Sequence, residues 1–269
     1  MKELVTVTAL FDVPRVIAAT ACVTPWPQRD PDRPGAADPE LPPIKGFVLS
    51  RFSPIVRRAV VGCLGEPGAD LIGADGPATA IVLGTLSGDP TTLDTSTRRL
   101  IAGQVHSPLL FFQSVTTSIL GHLGQEYGIS GPVTCLSVRD DEGEETLRAA
   151  DLLLTDESVR QVLVIGVEMA VNERLAAGYA RAGGRDSPSR PADGDTAVAF
   201  LLRRAGAGVR VVAEGERTGP RDPVDRSFGW LEGLVGLHVA AERARSAPVS
   251  YGPPFPGGAR LSLGRTAGA

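Results

Sequence analysis

Lysine is almost missing from this chain of 269 residues: it occurs only as Lys2 and Lys45, and arginine supplies the other basic charges. That bias reads as composition rather than as arginine-specific recognition. The formal net charge of −4 gives no reason to expect a nucleic-acid partner. Cysteine is scarce too. Cys22, Cys63 and Cys135 are odd in number and widely spaced, and no Cys-x-x-Cys or Cys/His pair suggests a zinc site. Each is read first as a small buried hydrophobe. No long apolar run opens the chain, because Glu3, Asp12 and Arg15 interrupt Met1 to Ile17. That stretch is neither a signal peptide nor a membrane span, so a cytoplasmic, reduced setting is expected. The 32 Gly and 22 Pro have no period, which excludes collagen-like and repeat architectures.

What remains is a chain with 42% hydrophobic residues, enough to bury a substantial core. Alternating or apolar runs predict strands at Leu4–Phe11, Val16–Val23, Ala78–Leu86, Pro132–Val138, Gln161–Glu168, Asp195–Arg203, Val209–Glu214 and Ala259–Leu263. Helical spacing or a polar start predicts helices within Leu49–Leu64, Thr91–Arg99, Phe111–Tyr127, Glu142–Leu154 and Trp230–Arg245. Pro/Gly-rich stretches at Pro25–Pro43, Gly183–Gly194 and Pro248–Gly258 predict loops. Strands and helices alternate, so the class is α/β with a mixed sheet buried between helix layers. No convincing linker divides the chain, and residues 1–269 are read as one domain.

Four blocks resemble the β-ketoacyl synthases of the thiolase superfamily. The first joins Pro54–Leu64 to the strand ending Gly84-Thr85-Leu86-Ser87-Gly88-Asp89. The second runs from Ser107-Pro108 through Phe111, Ser114 and Val115 to Gly131-Pro132. Thr146–Glu168 is similar to that family's helix and following strand, and Asp193-Gly194 to Leu202 to a later strand. The order and spacing of the blocks carry the match, and they cover about two-thirds of the chain. The resemblance implies a truncated thiolase-like fold, with the second half strongly shortened at about residues 205–269.

Family chemistry needs a Cys at a strand-to-helix elbow, where a helix N-terminus lowers its pKa, and two His that stabilise an oxyanion. The family pattern places the Cys eight residues after Gly-Pro, and here that position holds Asp140. Aspartate cannot accept an acyl group as a thioester. Cys135 falls inside the preceding strand and is read as a core cysteine. No Glu-x-His-Gly-Thr segment occurs, and Trp230 occupies the other His position in Gly229-Trp230-Leu231-Glu232-Gly233. So no catalytic residue is expected.

The histidines present do not replace them. His106 is read as a turn residue, His122 as a satisfied or partly exposed helix residue, and His238 as structural. Asp140, Asp141, Glu142, Glu144 and Glu145 form an acidic run at a helix start, where capping and a solvated face are the plainer reading than a metal site. No metal and no cofactor are expected.

Absent chemistry on a retained scaffold resembles the chain length factors of type II polyketide synthases, and the short form is closest to those of highly reducing or aryl-polyene systems. The resemblance implies a heterodimer with a catalytic ketosynthase, and an acyl carrier protein meeting the complex. It implies no membrane partner. Val133, Thr134, Cys135, Leu136 and Ser137 would pair with the partner's equivalent strand. Phe112, Thr116, Thr117 and Leu120 would gate the acyl tunnel by volume, although ordinary core packing accounts for the same helix pattern. Two other readings stay open: a rewired decarboxylase or acyltransferase using Cys135 or His122, and a homodimeric module binding an acyl chain or acyl carrier protein.

Overall fold

A computed structural model describes residues 10–25, 40–104, 107–137, 143–181, 192–215, 226–253 and 259–266. Its centre is one eight-stranded mixed sheet. In chain order the strands are β1 (Arg15–Val23), β2 (Thr79–Thr85), β3 (Val133–Ser137), β4 (Gln161–Glu168), β5 (Thr196–Arg203), β6 (Val209–Ala213), β7 (Val249–Tyr251) and β8 (Leu261–Arg265). Across the sheet they run β3-β2-β4-β5-β1-β6-β8-β7. β3, β2 and β4 are parallel, with Leu83 opposite both Cys135 and Ile165. From β4 outward every pairing is antiparallel.

The central strands are apolar on both faces because both faces are covered. Along β2, Ala80 and Val82 join one core while Ile81 and Leu83 join the other. β4 and β5 divide in the same way, Val164 and Phe200 against Ile165 and Leu201. Helices α1 (Phe52–Leu64) and α4 (Thr117–Tyr127) cover the second face. Helices α5 (Glu144–Leu153) and α7 (Glu232–Ala244), with the 3-10 turn Arg226–Leu231, cover the first. The expected mixed sheet between helix layers is what the chain forms. Helices α2 (Pro90–Ile101), α3 (Pro108–Ser114) and α6 (Glu173–Arg181) complete the fold.

Several expectations need adjustment. The single helix expected over Phe111–Tyr127 is two, α3 and α4, with Val115 extended between them (φ −86, ψ 111). The β-branched run Val115-Thr116-Thr117 loses side-chain freedom in a helix and favours the break. Ser107 caps α3 and Pro108 occupies its first turn, so that helix also begins earlier than periodicity suggests. α6 was not anticipated, although Asn172 Oδ1 accepts from the Leu175 N–H at 3.0 Å and caps it. β7 lies within the expected Pro248–Gly258 loop. The strand expected over Leu4–Phe11 falls mostly outside the described residues, as does much of Pro25–Pro43.

The three cysteines are free. Burial pushes the thiols of Cys22 and Cys63 up to about 12, so both are inert at neutral pH. His238 on α7 is tied to the sheet. Thr20 Oγ donates to the Ala199 carbonyl at 3.0 Å and lies 3.0 Å from His238 Nδ1. The hydroxyl proton is spent, so a hydrogen bond between the two needs a proton on Nδ1.

Burial holds the His238 pKa below its ordinary 6.5, and the neighbouring Glu242 opposes this only in part. The unfolded chain therefore binds this proton more readily. The stability contributed by the neutral ring is complete above the ordinary value and is lost as pH falls below it. Urea midpoints should decline on acidification from neutrality, and His238→Gln should flatten that slope. An unchanged slope would assign the acid sensitivity to other groups.

Candidate functional site

The parallel strands β2, β3 and β4 end side by side, and a ligand-handling α/β sheet works at such carboxyl ends. β4 ends in Glu168, which is fully buried. Its Oε2 accepts from Trp230 Nε1 and from the Leu86 backbone N–H, both at 2.8 Å. Ser87 Oγ donates to its Oε1. Burial raises the Glu168 pKa, and the hydrogen bonds from Ser87, Trp230 and Leu86 partly offset that rise.

Trp230 reaches this carboxyl through a glycine. Gly229 has φ 55 and ψ −133, a conformation that side-chain-bearing residues rarely adopt, and it turns the indole inward before α7 begins. The indole is completely buried. Beneath it lies Gly84 of β2, where an added Cβ would stand 2.3 Å from Thr146 Oγ1 and 3.2 Å from Trp230 Cη2. A strand glycine is the condition for seating an indole there. An indole N–H only donates, does not titrate near neutrality, and is here committed to Glu168. Trp230 therefore supplies neither a proton acceptor nor a free oxyanion donor.

The neighbouring polar groups are structural as well. Asp195 Oδ2 accepts from Arg51 Nε at 2.8 Å, and its Oδ1 accepts from the Ala170 N–H at 3.0 Å. Asp89 caps α2 through the Thr92 N–H at 3.0 Å and the Thr92 hydroxyl at 2.7 Å. Among the described residues, no group of three His, Cys, Asp or Glu is arranged to hold a metal ion.

Val133, Thr134, Cys135, Leu136 and Ser137 form β3, whose single partner among the described strands is β2. No described strand pairs with its outer edge, and Val133 is 50% exposed. Cys135 Sγ lies 3.1 Å from Thr116 Oγ1, at the break between α3 and α4. Phe112 is half exposed on α3, with its ring 5.5 Å from that of Phe47. Thr117 is exposed, whereas Leu120 is fully buried beside Ile119 and Leu123 in the core under α1. Thr116 and Cys135 thus come together, and Leu120 lies inside the core cluster against which Cys135 packs.

His122 is on α4, 3.4 Å from Glu126 Oε1 and edge-on to Phe47. Glu144 accepts from Arg148 within α5. Asp140, Asp141, Glu142 and His106 lie outside the described residues. Sequence reasoning missed the role of Glu168. The available signal was a carboxylate closing an apolar strand buried on both faces, where it must find donors.

No family model matches the chain, and no curated protein matches it. Solved structures do. One is a chain of the complex of the ketosynthase ApeO with its chain length factor ApeC from Xenorhabdus doucetiae, 17% identical, covering 93% of this chain and 99% of that one with a TM-score of 0.55. The ishigamide ketosynthase/chain length factor is 16% identical, covering 73% and 67%, with a TM-score of 0.57. The AntDE:AntF complex, a type II polyketide synthase acyl-carrier protein with its ketosynthase bound to the hexaketide, is 14% identical, covering 71% and 63%, with a TM-score of 0.56. At these identities the likeness is one of fold. The chain has the thiolase-like fold of ketosynthases.

Trp230→Phe keeps most of the bulk but leaves Glu168 Oε2 short of a buried donor. That loss should destabilise the chain by about 1–3 kcal/mol. Trp230→Ala opens a cavity as well and should cost about 3–5 kcal/mol. Denaturant unfolding of both variants measures the difference. Equal midpoints for Trp230→Phe and the parent would refute the role given to the hydrogen bond.

Proposed function

We propose that this chain is a catalytically silent ketosynthase-like subunit that pairs with a catalytic β-ketoacyl synthase and shapes the acyl tunnel, setting chain length in a polyketide or polyene pathway. The observation that carries the proposal is the outer edge of β3, which no described strand covers, beside an apolar surface. Leu93, Leu100 and Ile101 of α2, Leu109, Phe111 and Phe112 of α3, Val115 and Val133 are all exposed, Ile101 at 82% and Phe111 at 62%. An edge strand with apolar flanks invites another sheet. Ketosynthase and chain length factor complexes among the fold relatives support that choice of partner.

Silence follows from chemistry. Asp140 cannot carry a thioester, and Trp230, where the family resemblance places a histidine, is spent on Glu168. The partner would supply the nucleophile and the oxyanion donors. This chain would supply the opposite wall of the tunnel, with Phe112 and Thr116 the best-placed of the expected gating residues and Thr117 beside them. Leu120 would act through the core behind them. The shortened second half, about residues 205–269, accords with dependence on a partner. An acyl carrier protein would meet the complex rather than this chain alone, in a soluble cytoplasmic assembly.

Co-expression with the candidate ketosynthase should give a heterodimer on size-exclusion chromatography. Val133→Lys should abolish it by placing a charge on the pairing edge. A monomer that leaves the partner's products unaltered would end the proposal. Within the complex, Phe112→Ala should lengthen the products read by mass spectrometry, and an unchanged distribution would remove Phe112 from the tunnel.

A further inference from the structure

At the end of the sheet remote from Glu168, the strand termini line a half-open cavity of about 540 Å³. Arg203 from the end of β5, Arg265 from the end of β8 and Arg245 at the end of α7 line it, with Ala18, Leu71 and Thr266 among its other walls. We propose that this cavity binds a phosphate-bearing small molecule with at least two negative charges, such as an organic pyrophosphate.

The argument is one of uncompensated charge on a prepared frame. Arg203 Nε donates to Gln161 Oε1 at 2.8 Å, and its Nη2 donates to the Leu71 carbonyl at 2.6 Å. Gln161 is itself buried and fixed, donating to Thr79 Oγ at 2.9 Å, while that hydroxyl donates to the Asp75 carbonyl at 2.6 Å. These partners are all neutral oxygens, so among the described residues the guanidinium is held in place with its charge unneutralised and its Nη1 unengaged. Arg265 is held in the β6–β8 ladder by its backbone, and its guanidinium has no hydrogen bond or ion pair to a described residue. Arg245 alone has a carboxylate, Glu242 Oε1 at 2.9 Å from its Nε. In the adjoining concavity Asp75 is taken by Arg160 at 2.8 Å, and Asp70 lines the same wall. Three guanidiniums thus face one cavity whose described lining holds no carboxylate, with Glu242 pairing Arg245 and Asp70 and Asp75 set in the adjoining concavity.

Guanidinium is the cation whose fork matches phosphate oxygens. The cavity lies in the size range of small-molecule sites, about 300–1,000 Å³, and exceeds what inorganic phosphate alone fills. The loop from β5 to β6, Arg203-Arg204-Ala205-Gly206-Ala207-Gly208, completes the rim. Gly208 (φ +149) lets it press against β1, since a Cβ there would stand 2.4 Å from the Ile17 carbonyl oxygen. The site is independent of the Glu168 end of the sheet. Arg203 pairs with Gln161 at one end of the β4–β5 ladder and Thr196 with Glu168 at the other. Seven strand steps separate them, about 23 Å.

The test uses the full chain, together with any subunit that co-purifies. Sodium pyrophosphate is titrated at constant ionic strength and followed by calorimetry and thermal unfolding. Saturable binding that raises the Tm is expected. Arg265→Gln breaks no internal bond, so it should fold normally and weaken binding about tenfold or more. Arg99→Gln, on the remote helix α2, should leave binding unchanged. Three results would overturn the proposal: no saturable binding in the millimolar range, equal affinity in Arg265→Gln, or tighter binding of a poly-glutamate peptide than of pyrophosphate through Arg265. The last would make the surface a contact for an acidic protein.

Discussion

The hydrogen bond from Trp230 to Glu168 ties together the parts that decide what this chain can do. It joins the carboxyl end of a central parallel strand to the turn before the last helix, across a glycine that leaves room for the indole. A carboxyl so deeply buried needs donors, and it has them from Trp230, Ser87 and Leu86. The bond therefore stabilises the sheet end and commits to structure the indole that stands where the family resemblance places a histidine. On the proposed reading, structural integrity and catalytic silence come from the same contact.

With the interior of the site filled, the surface that remains available is the edge beside it. No described strand covers the outer edge of β3, and the α2–α3 surface next to it is apolar. The break at Val115 places Thr116 against Cys135, so the segment proposed to face an acyl chain is joined directly to the strand proposed to meet the partner. A substitution at this junction is therefore expected to affect pairing and product length together. The basic cavity at the other end of the sheet is separate from both and draws on different residues.

Much of the fold was legible because the core strands obey a simple rule: a sheet covered on both faces reads as unbroken apolar runs. Thr79–Thr85 and Gln161–Glu168 were visible for that reason, and the helix of Phe52–Leu64 by its single apolar face. The division of Phe111–Tyr127 was hidden because apolar residues continue through it, and only the β-branched run at 115–117 marks the break. β7 is three residues long, too short for alternation to register. At the site, the resemblance directed attention to Trp230, but its bond to Glu168 joins residues far apart in sequence and no spacing encodes it. The three arginines of the basic cavity come from separate elements, and an overall arginine bias concealed their convergence.

The central claim is that condensation belongs to the partner and this chain carries no acyl group. The direct measurement is intact-protein mass spectrometry of the co-purified complex after exposure to an acyl donor. The account predicts acylation of the partner's cysteine and no added mass on this chain. An acyl adduct on this chain that Cys135→Ala removes would contradict it.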